Sequence, residues 1–365
     1  MLNLSLTQLT GALAFVAAGF IVYVLTPFAA TFADRVGIVD APGDERRIHV
    51  NSTPLLGGLV IYLAVTVSMV LLAPWGDTVK AILVGGSIIT AVGLIYDLID
   101  MKPLVKFFGQ LAAIGASIAF SVRMDSLSIP FVSSSVHLPL AVSIVITALW
   151  FATIINMVNF IDGLDGLAAG ICAISAVTFG VIAFALNRPD TGIVALVLAG
   201  ATLSFLRFNF HPATIFMGDA GSMFLGFVLG VLSVQGVMKS TATVALILPL
   251  LVLGVPFIDL FLIVFRRVRR RVPFYSPGQD HVHHDLVLVA GFSQRKSVLL
   301  LYIWCILLNG TAVAMAYRSV PATVVMGAAS LLLTVFLGRL LTRYRRLGAV
   351  AAAEPGTGGR VADHI

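Results

Sequence analysis

Carboxylate and amide side chains are concentrated in a short segment near the middle of the sequence. The segment 156–166, NMVNFIDGLDG, carries Asn156, Asn159, Asp162 and Asp165. Side-chain oxygens of Asp and Asn suit Mg²⁺, a hard cation that takes carboxylates together with substrate phosphates. Because residues three apart are neighbours on a helix, the two carboxylates are predicted to share one helical face. The pattern favours a magnesium site, and the alternative is a simple helix-end cap.

A second acidic position lies at the start of an apolar run. In IFMGDAGS, Asp219 stands between Gly218 and Gly221. A carboxylate there can hold a cation close to a helix N-terminus. The alternative is an N-cap, which uses the same residue type at the same place.

Basic residues and histidines occupy two further segments. The segment 40–58, DAPGDERRIHVNSTPLLGG, contains Arg46, Arg47 and His49 before a Gly-Gly pair. Arginines bind phosphate oxygens in a fork, and glycines allow a ligand to approach the backbone. The alternative is that the two arginines anchor a helix to anionic lipid.

The longest polar stretch, 266–296, contains the triplet HVHH with His281, His283 and His284. Neutral imidazoles bind transition metals, whereas protonated ones bind phosphate. A zinc site would usually bring Cys or a spaced His/Glu set, which the sequence does not offer nearby. We therefore expect these histidines to bind phosphate. The five arginines from 266 to 271 are typical of an anchor on the positively charged side of a membrane.

The elements that position these residues are predicted to be membrane-spanning helices. The chain of 365 residues is 59% hydrophobic and 11% charged, with a mean hydropathy of +1.03. This composition excludes a soluble globular protein, and a span needs about 20 apolar residues. The sequence predicts an all-α, polytopic membrane protein with eleven spans. They lie near 8–30, 55–73, 79–95, 104–121, 138–156, 166–186, 191–208, 220–237, 242–265, 297–317 and 320–341.

The distribution of basic residues predicts the orientation of these spans. Eighteen of the 23 Lys and Arg fall in one alternating set of loops and the C-terminal tail. The positive-inside rule makes this set cytoplasmic, with the N-terminus outside and the C-terminus inside. It also explains the net charge of +6 without nucleic acid as a partner. The acidic and histidine-bearing segments fall on the same side. Residues 1–347 are predicted to form one membrane domain, and 348–365 a disordered tail.

In these motifs the chain resembles the polyprenyl-phosphate N-acetylhexosamine-1-phosphate transferases. It is more similar to their WecA type than to the related MraY type. The resemblance runs from about Arg35 to Lys296 and rests on four motifs together: HVNSTPLLGG, NMVNFIDGLDGLAAG, FMGDAGS and SPGQDHVHHDLVLVAGFSQRK. It implies transfer of a sugar 1-phosphate, GlcNAc 1-phosphate first, from a UDP-N-acetylhexosamine to undecaprenyl phosphate. UMP is released, in the first membrane step of cell-surface polysaccharide synthesis.

The resemblance also implies the setting and the cofactor. The enzyme would lie in the bacterial cytoplasmic (inner) membrane with its active site facing the cytoplasm. It would require Mg²⁺, with Mn²⁺ as a substitute, and a homodimer is compatible with the family. The donor alternatives are other UDP-N-acetylated sugars, and the acceptor alternative is the MraY-type pathway.

Individual roles follow from matching the motifs residue by residue. Asp219 and Asn159 would bind the metal, and Asp162 and Asp165 would form the acidic pair of the catalytic loop, with Asp165 near the uridine. The ring of Phe216 would stack on uracil. His281, His283 and His284 would lie near the diphosphate or the sugar. Asp97 would be a further catalytic residue, and the further substrate-binding residues would be Arg46, Arg47, His49, Asn156 and Asp100.

One position departs from the family pattern. The family has Asp-Asp at the end of the third span, where this chain reads Tyr96-Asp97. A Tyr with an ordinary pKa of about 10 is a poor replacement for a carboxylate base. Lipid phosphate is already largely ionised near neutral pH, so a base is dispensable, and Asp97 or Asp100 can compensate. The alternatives are a catalytically silent relative that binds UDP-sugar or lipid, and a transporter. A transporter is disfavoured because the acids lie at span ends and no two halves match.

Overall fold

The structure, a computed structural model, is almost entirely helical. It describes residues 6–40, 52–99, 102–128, 135–238, 246–271 and 281–353. The helices are α1 (Leu6–Val36), α2 (Gly57–Leu72), α3 (Asp77–Leu98), α4 (Pro103–Ala119), α5 (Leu140–Ile161), α6 (Leu167–Ala185), α7 (Pro189–Asn209), α8 (Gly218–Leu232), α9 (Ile247–Val252), α10 (Gly254–Arg270), α11 (Val282–His284), α12 (Gln294–Ala316) and α13 (Val320–Ala353). π-Helical turns follow α8 at Ser233–Met238 and α11 at Asp285–Val289.

Two short antiparallel hairpins complete the described chain. β1 (Val39–Asp40) pairs with β2 (Thr53–Pro54), and β3 (Ser126–Ser128) pairs with β4 (Ser135–His137). The first hairpin joins the two ends of the segment that carries Arg46, Arg47 and His49. Those three residues lie outside the described residues.

The predicted all-α polytopic fold is confirmed. Within the described ranges, eight helices are long and apolar enough to cross a membrane, and α2 and α4 are shorter apolar helices. Every predicted span coincides with helix, but the segment 242–265 contains the short α9 and the arginine-ended α10. The count of eleven spans and their orientation therefore remain predictions. Helix α13 continues to Ala353, six residues past the predicted boundary at 347. The tail from 354 lies outside the described residues.

Helix α8 forms the centre of the bundle. The apolar stretch of α8 that is long enough to cross a membrane is completely buried, and the helix packs against α2, α3 and α5. In the peripheral helices α1 and α13, only 22% and 11% of the residues in the apolar stretch are buried. These helices expose large apolar side chains such as Phe20, Phe28 and Leu332. Contact of such an apolar surface with water is unfavourable, whereas contact with lipid tails is not. Asp219 stands at the start of this central helix, and the other site residues described below lie on helices packed around it.

Close approach between α2 and α8 depends on the Gly-Gly pair in the sequence. A Cβ atom on Gly58 would overlap the amide nitrogen of Gly221 and the carbonyl oxygen of Met217. The amides of Gly57 and Gly58 donate to the carbonyl oxygens of Phe216 and Met217 at 3.0 Å each. Small residues at helix contacts allow backbones to approach in this way.

Gly58→Ala is expected to destabilise the protein by about 1–3 kcal/mol, because the added methyl group must push α2 away from α8. The measurement is the thermal unfolding midpoint of the purified protein in detergent. Gly115→Ala is the matched control, since a Cβ there meets no atom within 4 Å. Equal midpoints for the two variants would contradict the proposed close contact.

Candidate active site

The N-terminus of α8 is held by a carboxylate from another helix. Asp97, in the last turn of α3, accepts hydrogen bonds from the backbone N–H groups of Asp219 at 2.8 Å and Ala220 at 3.1 Å. The first amides of a helix lack intrahelical partners and favour negative charge, so this carboxylate caps α8. Gly218, with φ of +65°, begins the helix, and a Cβ there would lie 2.5 Å from Asp97 Oδ2.

Asp219 and Asn159 converge on one positive charge. The ammonium of Lys106, on α4, donates to Asp219 Oδ2 at 2.7 Å and to Asn159 Oδ1 at 3.1 Å. The Asn159 amide donates to Asp219 Oδ1 at 2.5 Å and to Ser222 Oγ at 2.8 Å. The side chains of Lys106 and Asp219 are only 14% and 19% exposed. Three helices, α4, α5 and α8, thus contribute to one charged cluster. It is formed by Lys106, Asn159 and Asp219 and is called the cation cluster below.

This donor set fits the predicted magnesium. A carboxylate oxygen and an amide oxygen that face the same cation are ligands that Mg²⁺ takes in proteins, together with water and substrate phosphate. In the structure the ammonium of Lys106 lies between these two oxygens. Binding of Mg²⁺ by the same two oxygens would require Lys106 to turn away, and its side chain could then approach a phosphate.

Asp162 adds a third acid to this region. It caps the C-terminus of α5 and is partly buried. Burial and the neighbouring Asp219, Asp97 and Asp165 raise the pKa of Asp162 to about 8. Mutual repulsion among several carboxylates in a small volume favours binding of a divalent cation. The acids that the sequence places in separate segments are therefore close enough to act on one another.

The predicted shared face of Asp162 and Asp165 is wrong. Helix α5 ends at Ile161, and Gly166, with φ of +80°, turns the chain into α6. Asp165 is buried and points to the segment after α7, where its Oδ2 lies 2.8 Å from His211 Nδ1 and accepts from the Ala213 amide at 3.0 Å. Asp165 therefore connects two loops, while Asp162 is close enough to Asp219 and Asp97 for their charges to raise its pKa.

Tyr96 contacts the cation cluster through its ring. The Lys106 ammonium lies 4.5 Å from the centroid of the Tyr96 ring, within range of a cation–π interaction. Tyr96 thus helps to position Lys106, while Asp97 uses both oxygens on the α8 amides. The two residues at the position of the family's Asp-Asp pair have different tasks in this protein.

Tyr96→Phe is expected to change the transfer rate by less than about threefold, because the ring that faces Lys106 is retained. Tyr96→Ala removes that contact and is expected to lower the rate by about tenfold, within the 0.5–2 kcal/mol range of cation–π contacts. The measurement is the initial rate of UMP formation by each variant. Equal losses in both variants would show that the hydroxyl, rather than the ring, is required.

The histidines lie against the loop between α5 and α6, residues 162–166, which we call the acidic loop. A Cβ on Gly163 would lie 2.5 Å from His283 Nε2, so the loop and the imidazole are in direct contact. The ring centroids of His281 and His283 are 5.1 Å apart, and those of His283 and His284 are 4.3 Å apart. Burial lowers the pKa of His283 to about 3 and also lowers that of His284. Burial therefore favours the neutral form of His283, whose ring can donate one hydrogen bond to phosphate, and the predicted phosphate contact stays a prediction.

Buried ion pairs and a buried acid hold the histidine segment, residues 281–289, in place. Asp259, on α10, lies 2.8 Å from His281 Nδ1 through Oδ2, and its Oδ1 accepts from the Val282 amide at 2.7 Å. The Asp285 carboxylate forms ion pairs with the guanidinium groups of Arg266, at 2.9 Å, and Arg345, at 2.5 Å. These contacts connect the segment to α10 and α13, and they fix it over the loop that follows α5.

The remaining predicted residues are distributed around this centre. Asn156 donates to Gln110 Oε1 at 2.9 Å, one turn before Asn159 on α5. Phe216 is partly buried, and its amide donates to the Pro54 carbonyl at 2.8 Å, which brings the β1–β2 hairpin beside α8. Asp100, like Arg46, Arg47 and His49, lies outside the described residues.

Sequence reasoning missed Lys106 and Asp259. Lys106 counted only as one more positive charge beside a span, and its two partners are 53 and 113 residues away in sequence. Asp259 stands alone in the apolar run 242–265, and an isolated acid at such a position is itself a signal of function. That signal was available from the sequence.

The fold and the site define a class. The protein is a multi-pass, all-α membrane protein in which Lys106, Asn159 and Asp219 form a charged cluster at one end of the bundle. The family model for glycosyl transferase family 4 matches residues 79–237, which contain Asp97, Asn159, Asp162 and Asp219.

Curated relatives agree with this match. The chain is 36% identical over 291 residues to a Bacillus subtilis protein named "Probable undecaprenyl-phosphate N-acetylglucosaminyl 1-phosphate transferase", covering 80% of each chain. It is 36% identical to the decaprenyl-phosphate N-acetylglucosaminephosphotransferase of Mycolicibacterium smegmatis, covering 94% of this chain and 91% of that one. It is 26% identical to the undecaprenyl-phosphate alpha-N-acetylglucosaminyl 1-phosphate transferase of Escherichia coli K12, covering 80% of each. The chain belongs to the family of these transferases, glycosyl transferase family 4, and is a membrane-embedded transferase.

Proposed function

We propose that this protein transfers N-acetylglucosamine 1-phosphate from UDP-N-acetylglucosamine to a polyprenyl phosphate, undecaprenyl phosphate first, and releases UMP. The names of the relatives support the sugar and the prenyl acceptor. The observation that carries the proposal is that oxygens of Asp219 and Asn159 contact one positive charge, the Lys106 ammonium, at the N-terminus of α8. The negative charge of a diphosphate donor must be neutralised by positive charge bound at the site.

The chemistry is an exchange at the sugar-bearing phosphorus. An oxygen of the lipid phosphate forms a bond to the β-phosphorus of the donor, and the bond from that phosphorus to the bridging oxygen breaks. UMP leaves with the bridging oxygen and the electron pair. Mg²⁺, or Mn²⁺ in its place, would neutralise the diphosphate charge and make UMP a better leaving group.

The chain's own residues bind and orient the reactants in this scheme. Asp219 and Asn159 would hold the metal, and Lys106 would supply a further positive charge for the phosphates. Asp97 fixes the helix that carries Asp219, since both of its oxygens accept backbone hydrogen bonds. The attacking lipid phosphate is already ionised near neutral pH, so no side chain must remove a proton from it. Tyr96 in place of a carboxylate is compatible with this scheme.

The proposed location is the bacterial inner membrane, with the site facing the cytoplasm. Support comes from the bundle end at which the site lies: α3 and α5 end there, and α4 and α8 begin there. This is the end at which the predicted cytoplasmic loops carry eighteen of the 23 Lys and Arg. A homodimer stays a prediction from the family resemblance.

The test is a panel assay with purified protein. Undecaprenyl phosphate, Mg²⁺ and a set of UDP-N-acetylhexosamines are incubated with the protein, and UMP is measured for each donor. We expect UMP with UDP-N-acetylglucosamine and at most a small fraction of that rate with the other donors. A higher rate with another donor would replace the proposed sugar.

The same assay with Tyr96→Asp tests whether the chain is active as written. We expect the wild type to turn over without the added carboxylate. No turnover by the wild type with any donor, together with restored turnover in Tyr96→Asp, would favour the silent-relative alternative.

A further inference from the structure

A second cluster of metal-type ligands lies beside the proposed magnesium site. One candidate ligand atom from each of Asp259, His281 and His283 lies within 4.8 Å of the other two. Asp259 and His283 are buried, and His281 has 13% of its side chain exposed. The three residues come from α10 and from the histidine segment, which pack together behind the acidic loop. None of these three takes part in the cation cluster of Asp219 and Asn159.

The ligand chemistry of this cluster differs from that of the magnesium site. Two imidazoles and one carboxylate suit Zn²⁺ and similar transition metals, whereas Mg²⁺ takes oxygen ligands. Ligand atoms around a tetrahedral zinc with bonds of about 2.1 Å lie about 3.4 Å apart. The three candidate atoms lie within 4.8 Å of one another, so a shared ion requires their side chains to adjust their spacing.

A buried nitrogen supports a ligand at this place. His283 is 2% exposed, and its Nε2 has no hydrogen-bond partner among the described residues. A buried polar atom without a partner is costly, and metal coordination of the ring is one way in which a protein uses such an imidazole. The carboxylate–histidine contact between Asp259 and His281, at 2.8 Å, keeps two further ligands together at the same point.

We propose that Asp259, His281 and His283 bind one divalent transition-metal ion of the zinc class. Three protein ligands leave one coordination position for water or a phosphate oxygen, as in other zinc sites with an open position. The ion would fix the histidine segment against the loop that contains Gly163, and it would add a positive charge at the edge of the donor site. The proposal does not depend on the sugar, the lipid or the direction of transfer.

The test measures metal content and not activity. Full-length protein without a polyhistidine tag is stripped with a chelator, incubated with Zn²⁺ alone, passed through a desalting column and analysed by elemental mass spectrometry. We expect about one Zn²⁺ per chain in the wild type, in His137→Ala and in Asp219→Asn. His137→Ala controls for loss of a histidine outside the cluster, and Asp219→Asn removes a ligand of the proposed magnesium site.

Cluster variants should lose the ion. We expect Asp259→Asn and His283→Ala to weaken Zn²⁺ binding at least tenfold, and Asp259→Glu to retain more of it than Asp259→Asn. X-ray absorption of the zinc-loaded wild type needs no variant and should show imidazole ligands at about 2.0–2.1 Å. Substoichiometric zinc in the wild type, unchanged binding in both cluster variants, or a zinc shell without imidazole would overturn the proposal. Asp259 would then act only as the hydrogen-bond partner of His281.

Discussion

Asp219→Asn should reduce the transfer rate by about 10³-fold, which corresponds to roughly 4 kcal/mol of lost transition-state stabilisation. The carboxylate of Asp219 faces the Lys106 ammonium at 2.7 Å, at the point where the donor's diphosphate charge must be neutralised. An amide keeps the size and one oxygen but loses the charge that binds a divalent cation. We expect the remaining activity to need a higher Mg²⁺ concentration than the wild type. The measurement is the rate of UMP formation over a range of Mg²⁺ concentrations.

The matched control for this variant is Asp77→Asn. Asp77 is also an acid in the first turn of a helix, α3, but it is exposed and lies at the opposite end of α3 from Asp97. Its substitution should leave the rate within about twofold, since surface changes away from buried features have small effects. A rate for Asp219→Asn within tenfold of the wild type would show that the metal is bound elsewhere.

Asp97→Asn should lower kcat/KM by about 10–100-fold, the usual range for residues that position a metal ligand. Both Asp97 oxygens accept backbone N–H groups from α8, and an amide would place an NH₂ donor against one of these donors. The start of α8 must then shift, and Asp219 moves with it. Asp97 is therefore a positioning residue in this account.

Two readouts separate positioning from base catalysis by Asp97. Positioning predicts that Asp97→Asn raises the Mg²⁺ concentration needed for half-maximal rate and that saturating Mg²⁺ restores part of the lost rate. Base catalysis predicts the loss of the ascending limb of the pH–rate profile with an unchanged Mg²⁺ requirement. Asp34→Asn, an exposed position on α1, serves as the control. The second pattern of results would assign Asp97 to proton transfer.

The long apolar helices could be predicted from sequence because apolar runs of sufficient length are a local property of the chain. The run predicted at 191–208 is the helix Pro189–Asn209, and that predicted at 166–186 is Leu167–Ala185. The segment 242–265 was less well predicted, because α9 and α10 divide it and α10 ends in arginines. Hydropathy measures average composition, and it does not detect a helix break within an apolar run.

The site could be predicted in its residue types but only partly in its geometry. Asp219 and Asn159 converge as the motifs implied, and the histidines lie beside the acidic loop. The predicted common face of Asp162 and Asp165 was wrong because the helical periodicity was extended past Ile161, although the glycines that follow indicate a turn. The contact of Asp97 with the α8 amides joins residues more than 120 positions apart, and no local pattern contains that information.

Transfer of the sugar-bearing phosphate is tested most directly by following the two phosphates of the donor separately. UDP-N-acetylglucosamine carrying ³²P in either the α- or the β-phosphate is incubated with purified protein, undecaprenyl phosphate and Mg²⁺, and lipid and aqueous products are separated. We expect the β-label to enter the lipid fraction and the α-label to appear in UMP, with neither transfer in Asp219→Asn. Sugar in the lipid with both labels left in UDP, or no label in the lipid at all, would contradict the proposed transfer.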